Sequence, residues 1–105
     1  MNYEKDLAKY KAEVNKALEW FDFIKVQRVM KILKWTWQGN DHIPSIGQLY
    51  QCAEDQLWHA IKSAIKDNTD GSRHYSGCGG FCAQAQIYGG KLYLSIAFEI
   101  ETGEN

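Results

Sequence analysis

The stretch that decides the fold runs from Gly77 to Glu101 and reads GCGGFCAQAQIYGGKLYLSIAFEIE. Gly89 and Gly90 separate two alternating segments, and glycine tolerates the positive φ that a two-residue hairpin turn requires. One face of the hairpin then pairs Ile87 with Leu92, Ala85 with Leu94, Ala83 with Ile96, and Phe81 with Phe98. The other face pairs Tyr88 with Lys91, Gln86 with Tyr93, Gln84 with Ser95, and Cys82 with Ala97. Because a slip of one residue would mix the apolar and polar faces, the pattern predicts a single register.

The composition is that of an ordinary globular protein. The chain has 105 residues and a net charge of −1, which predicts a single domain over residues 1–105 without overall attraction to nucleic acid or to an anionic membrane. No apolar segment approaches the roughly 18 residues of a membrane span, and the first residues lack the apolar region of a signal peptide. Three cysteines without an export signal predict reduced thiols and a cytoplasmic location.

Two amphipathic helices are predicted at the start of the chain. The first is indicated by apolar residues at spacings of three and four, namely Leu7, Tyr10, Val14, Leu18 and Phe21. Asp22 suits the N-cap of a second helix, from about Phe23 to Lys34. One side of that helix carries a basic row three residues apart, formed by Lys25, Arg28, Lys31 and Lys34. This row either contacts phosphates or an acidic partner, or it is an ordinary solvated face.

A third helix is expected from about Ile46 to Lys66. Its start is marked by a capping box, with Ser45 at the N-cap and Gln48 three residues later. The fold class is therefore α+β, with three helices followed by a C-terminal antiparallel hairpin and the helices packed on one face of the sheet.

The segment between the second and third helices begins with Trp35, Thr36 and Trp37. Alternation places both indoles on one side if the segment is extended. A two-stranded hairpin is only marginally stable alone, so these residues are expected to add a short third strand. The alternatives are that the indoles cover the apolar face of the hairpin or line a pocket.

The segment RHYSGCGG, residues 73–80, is predicted to be a loop that binds an anion. Its glycines are Gly77, Gly79 and Gly80. They allow the backbone amides to turn toward one point, while Arg73 adds a bidentate phosphate contact. Either Tyr75 or His74 is placed to stack on a base. It is no P-loop, since no Gly-Lys-Ser/Thr follows and a strand comes next. The alternative is a connector whose glycines serve only turn geometry.

Metal and catalytic motifs are poorly represented. His74, Cys78 and Cys82 are spaced four apart, yet a structural zinc site needs four ligands. The residues left to complete such a set are Cys52, His42 and His59. Free thiols are favoured, and a disulfide between Cys78 and Cys82 is the alternative. No serine elbow, HExxH motif or assignable carboxylate pair occurs, so we expect no metal, no cofactor and no enzymatic activity.

Three segments resemble a pattern in small bacteriophage and prophage proteins of uncharacterised function. They are FIKVQRVMKILKWTW at Phe23–Trp37, Ile43-Pro44-Ser45 before the third helix, and Gly79-Gly80-Phe81 with the strand ending Phe98-Glu99-Ile100-Glu101. The resemblance covers most of residues 21–101, and the N-terminal helix, residues 2–20, lies outside it. It implies action in an infected bacterial cytoplasm, where small phage proteins often bind host components stoichiometrically, including those of immune systems.

Two functions follow from these observations. In the first, the protein sequesters a phosphorylated, nucleotide-type immune signal, for which the contacts are Arg73, the glycine amides, and Trp35, Trp37 or Tyr75 as stacking partners. In the second, it is an inhibitor, of the anti-CRISPR kind, of a host defence or nucleic-acid-handling complex, for which the contacts are the basic row or Gln84, Gln86 and Tyr93. Four tryptophans and six tyrosines are many for a chain of this length, and together with the glycine loop they favour the first function. A third reading is a nucleic-acid-binding accessory protein, which the basic row supports.

The edges of the hairpin also bear on assembly. Unpaired strand edges promote association between copies, and long amphipathic helices can pair. The sequence therefore predicts a homodimer.

Overall fold

The computed structural model describes residues 3–33, 43–67, 69–78 and 80–99. These residues form α1 Tyr3–Glu19, α2 Phe23–Leu33, α3 Ile46–Asp67, β1 Arg73–Cys78, β2 Phe81–Tyr88 and β3 Lys91–Phe98. The strands make an antiparallel sheet in the order β1-β2-β3. The helices pack on one face of this sheet, so the predicted α+β class is confirmed.

The hairpin of β2 and β3 has the register that the alternation predicts. Pairing runs from Phe81 opposite Phe98 to Tyr88 opposite Lys91, without a slip. Gly89 and Gly90 form the turn with φ of 58° and 78°, values that glycine adopts without steric cost. The inner face of β2 is buried under the helices, as the apolar pattern requires.

Both predicted helix caps are present. The Asp22 carboxylate accepts a hydrogen bond from the Lys25 N–H at 3.0 Å, at the start of α2. At the start of α3, the Ser45 N–H donates to Gln48 Oε1 at 2.8 Å, and the Gln48 N–H donates to Ser45 Oγ at 3.2 Å. This reciprocal pair is a capping box, and it satisfies two backbone donors at the helix terminus.

The third strand differs from the sequence-based expectation. Residues 73–78, predicted as part of a loop, form β1 instead and pair with β2 from Arg73 opposite Gln86 to Cys78 opposite Phe81. The polar side chains that β1 turns inward lie beside polar side chains of α3. Ser76 Oγ donates to Gln56 Oε1, and His74 Nε2 lies 3.3 Å from Asp67 Oδ2. Trp35 and Trp37, the segment first considered for this strand, lie outside the described residues, as does Lys34.

The core lies between α3 and the inner face of the sheet. α3 contributes more of the fully buried side chains than any other element, namely Leu49, Ala53, Leu57, Ala60 and Ile61. One end of this core is closed by aromatic rings: Phe81 lies 4.9 Å from Phe98 and 5.7 Å from Phe21, between ring centroids. Among the described helices, none has the length and apolar character that crossing a bilayer would require.

Candidate functional site

The helices leave one face of the sheet uncovered. Pairing of β1 with β2 and of β2 with β3 sets the side chains of this face in rows across the three strands. We call it the outer face and define it by Arg73, Tyr75, Gly77, Cys82, Gln84, Gln86, Tyr88, Lys91, Tyr93, Ser95 and Ala97. One row joins Arg73, Gln86 and Tyr93, and the next joins Tyr75, Gln84 and Ser95.

Three tyrosines of the outer face are strongly exposed. The exposed fractions are 64% for Tyr75, 61% for Tyr88 and 50% for Tyr93. Each of the three strands contributes one of these rings. Aromatic residues are enriched in recognition surfaces relative to the remaining surface of a protein.

The outer face also carries positive charge and amide groups. Lys91 Nζ lies 5.5 Å from the centroid of the Tyr93 ring, within range of a cation–π contact. Arg73 is exposed at the β1 end of the same sheet. The Gln86 side chain donates to the Gly71 carbonyl, which holds its amide in place, whereas the Gln84 amide is exposed. Arg73 and Lys91 are the charged residues of the outer face within the three strands, and Glu99 follows Ala97 in the same alternation just beyond the end of β3.

A shallow depression occupies the middle of the outer face. Its volume is about 190 Å³, and its polar lining is formed by Arg73, Gln84, Gln86, Tyr93 and Ser95. It therefore places an arginine and a tyrosine ring on one small concave surface, with two side-chain amides between them.

The outer face brings together residues that the sequence assigned to two different sites. Arg73 and Tyr75 were predicted to bind a phosphorylated ligand, and Gln84, Gln86 and Tyr93 to contact a protein partner. Strand β1 joins them, because its alternation sends both Arg73 and Tyr75 outward. Tyr88 and Lys91 belong to the same surface but were not singled out, although the hairpin register already placed them on the polar face.

The other described residues of the predicted ligand site do not form an anion-binding loop, although Gly77 remains on the outer face. His74 is turned to the inner face, where Nε2 is close to Asp67 but not aligned for a hydrogen bond. Gly77 is part of a strand instead of a loop. Gly80 has φ 100°, and its carbonyl accepts a bond from the Glu99 N–H at 2.8 Å. The long glycine loop is thus replaced by a short turn between β1 and β2. Gly79, Trp35 and Trp37 lie outside the described residues.

The basic row of α2 is separate from the outer face. Lys25, Arg28 and Lys31 are exposed on a helix that packs on α3, on the opposite side of the sheet. Two isoleucines of the same helix, Ile24 and Ile32, are also largely exposed. Val26 and Met30 of α2 are buried, so the two isoleucines lie off its buried side.

The three cysteines are distributed over α3, β1 and β2. Cys78 belongs to the inward series of β1, whereas Cys82 lies on the outer face, so the two side chains point to opposite sides of the sheet. Burial, with Cys78 close by, raises the pKa of the Cys52 thiol to about 11. Within the described part of the chain, no three His, Cys, Asp or Glu side chains are grouped to hold a metal ion.

Comparison of the chain with models of protein families, with curated proteins and with solved structures found no match.

Proposed function

We propose that this is a non-enzymatic binding protein whose outer face docks on an acidic surface of a partner protein, as a stoichiometric inhibitor does. The observation that carries the proposal is that Tyr75, Tyr93 and Arg73 lie together on one open face of the sheet. Tyrosine and arginine are enriched among the residues that dominate protein–protein binding energy.

The shape of the outer face favours a protein over a small ligand. Sites for small molecules usually enclose about 300–1,000 Å³ and bury most of the ligand. The depression beside Arg73 has about 190 Å³ and lies on an open sheet. An open face of this kind suits a broad contact, in which the exposed rings fill pockets of the partner and the amides satisfy polar groups at the rim.

The charge of the outer face sets the chemistry of the partner. Arg73 and Lys91 are its charged residues, and both are exposed. Complementary potentials accelerate encounter and disfavour partners of like charge. We therefore expect carboxylates on the partner, opposite these two side chains. The resemblance to small phage proteins supports a counter-defence role in an infected bacterial cytoplasm.

A nucleotide-type signal molecule is the second candidate ligand. It is favoured by the depression itself, which places Arg73 and Tyr93 in reach of one bound molecule. Arginine suits phosphate through paired hydrogen bonds, and a tyrosine ring suits a base through stacking. In this case the same face would sequester the signal instead of covering a protein.

The test measures binding by three variants in parallel. Arg73→Ala and Tyr93→Ala remove outer-face side chains, and Lys31→Ala removes an exposed cation from the opposite side of the molecule as a matched control. Immobilised chains are exposed to bacterial extracts, and retained proteins are quantified by mass spectrometry. The proposal expects a protein retained by the wild type and by Lys31→Ala, but lost by both outer-face variants.

A thermal-shift panel of nucleotides and cyclic dinucleotides separates the two candidates. A ligand at 100 times its dissociation constant adds about 2.7 kcal/mol, which raises Tm by several degrees. A shift that disappears in Arg73→Ala would favour the nucleotide. Retention that depends on Lys31 and not on Arg73 would assign binding to α2 and contradict both candidates for the outer face.

A further inference from the structure

Strand β1 is an edge of the sheet, and half of its backbone groups point away from β2. The Gly80 carbonyl accepts a hydrogen bond from the Glu99 N–H and therefore points toward β3. The Ile87 carbonyl accepts one from the Gly71 N–H and therefore points toward the β1 side. Backbone direction alternates along an antiparallel strand, and Phe81, Ala83 and Ala85 therefore bond to β1. Their partners in the register are Cys78, Ser76 and His74. The N–H and C=O groups of Arg73, Tyr75 and Gly77 consequently point outward.

This edge is open among the described residues. Arg73, Tyr75 and Gly77 are all exposed, and β2 is the only described strand beside β1. The opposite edge is different, since α1 packs along β3 and Lys9 Nζ donates to the Gly90 carbonyl at 3.2 Å. An exposed edge with unpaired backbone groups is a template for another strand.

We propose that a second copy of this chain pairs with β1, antiparallel, about a two-fold axis at Tyr75. This register sets Tyr75 opposite the partner's Tyr75 and Arg73 opposite the partner's Gly77. All three outward-facing residues then form hydrogen-bonded pairs, and each pair exchanges two bonds, about six in all. The two sheets of three strands become one continuous sheet.

The side chains select this register over its neighbours. A two-fold axis at His74 would set two imidazoles opposite each other. An axis at either His74 or Ser76 would also pair fewer outward-pointing backbone groups of β1 than the axis at Tyr75 does. With the two-fold axis at Tyr75, the Arg73 side chain lies opposite the partner's Gly77. The absent side chain of Gly77 leaves room for Arg73 to reach diagonally toward the partner's Tyr75 ring, a cation–π geometry. No like charges meet across the axis.

The dimer goes beyond the proposed function, because it concerns the strand edge and not the outer face. It has a consequence for that face all the same. Two outer faces become one surface with the paired tyrosines at its centre and an arginine on either side. An isologous contact of this kind closes on itself, so it yields dimers without further growth along this edge.

Disulfide trapping tests the register directly. In a background of Cys52→Ala, Cys78→Ser and Cys82→Ser, Tyr75→Cys places two thiols across the axis. Paired residues have Cα atoms about 5.5 Å apart, within the range that a disulfide spans. The matched control is Arg73→Cys, at another exposed position of β1. In the proposed register its two copies would be offset by four residues along the strand and roughly 14 Å apart. Mild oxidation should yield covalent dimer at least about tenfold faster for Tyr75→Cys.

Sedimentation velocity on the uncross-linked chain provides the second measurement. The wild type should show concentration-dependent dimer at tens to hundreds of micromolar. Tyr75→Lys, which sets two cations across the axis, should remain monomeric, while Gln84→Lys on the central strand should still dimerise. Equal trapping of the two cysteine variants, no trapping of either with circular dichroism unchanged, or a wild type that stays monomeric would each overturn the proposal.

Discussion

Gly80, in the turn between β1 and β2, is the position where one added methyl group should be most damaging. Its φ is 100°, a region that side-chain-bearing residues rarely adopt. A Cβ on Gly80 would lie 2.7 Å and 2.9 Å from two carbons of the Phe98 ring and 3.1 Å from the Glu99 carbonyl oxygen. The ring cannot retreat freely, because Phe98 is itself packed edge-on against the buried ring of Phe81.

The expected loss of stability for Gly80→Ala is the sum of two costs. A positive φ at a residue with a side chain costs about 1–2 kcal/mol. Displacing a packed ring costs about 1–3 kcal/mol more. We therefore expect about 3 kcal/mol in the free energy of unfolding. Gly89→Ala is the matched control, since its φ is 58° and nothing lies within 4 Å of the added Cβ. It should incur only the first cost, about 1 kcal/mol.

Urea denaturation followed by circular dichroism measures both variants. A difference of about 2 kcal/mol corresponds to roughly 8–16 °C in Tm for a domain of this size. If Gly80→Ala were no less stable than Gly89→Ala, Phe98 would not be held where the structure places it, and the argument from its close approach would fail.

Three further predictions follow from local geometry. Ser45→Ala should cost about 1 kcal/mol by urea denaturation, because it removes the N-cap acceptor of α3; a change within error would mean that the capping box adds nothing. Alkylation of Cys52 at pH 8 should be far slower than that of the exposed Cys78 and should accelerate as the pH rises toward about 11, its raised pKa. Because the pKa of Cys52 is higher in the folded state than in the unfolded state, the free energy of unfolding should decline above about pH 9. Equal alkylation rates for the two thiols at pH 8 would refute the burial argument. Elemental analysis should find no stoichiometric zinc, because Cys78 and Cys82 point to opposite sides of the sheet; one zinc per chain, lost in Cys78→Ser, would contradict this.

The hairpin and the helix caps could be predicted because their determinants are local. Gly89 and Gly90 are adjacent to the strands that they connect, and Ser45 and Gln48 lie three residues apart. Each of these determinants acts over a few neighbouring residues, so backbone propensity and hydrogen-bonding geometry are sufficient to predict the local structure. The polar face of the hairpin, including Tyr93, followed from the same register.

Strand β1 could not be predicted from its own residues. RHYSGC has no apolar alternation, and its glycine resembles a loop signal. Two of its inward side chains, His74 and Ser76, lie beside Asp67 and Gln56 of α3. These contacts depend on how α3 crosses the sheet, which a local pattern does not encode. For the same reason, the union of Arg73 and Tyr75 with Gln84 on one face could not be foreseen.

The central position of α3 has a consequence for the motions of the protein. This helix contacts all three strands and both other helices, whereas α2 packs mainly on α3. Native-state hydrogen exchange separates segments that open alone from those that open only with the whole molecule. Amides of α3 should exchange through global unfolding, while α2 should detach at lower free energy and leave the sheet intact. The basic row and the outer face would then belong to units of different stability, and the cationic helix would detach without disturbing the three tyrosines.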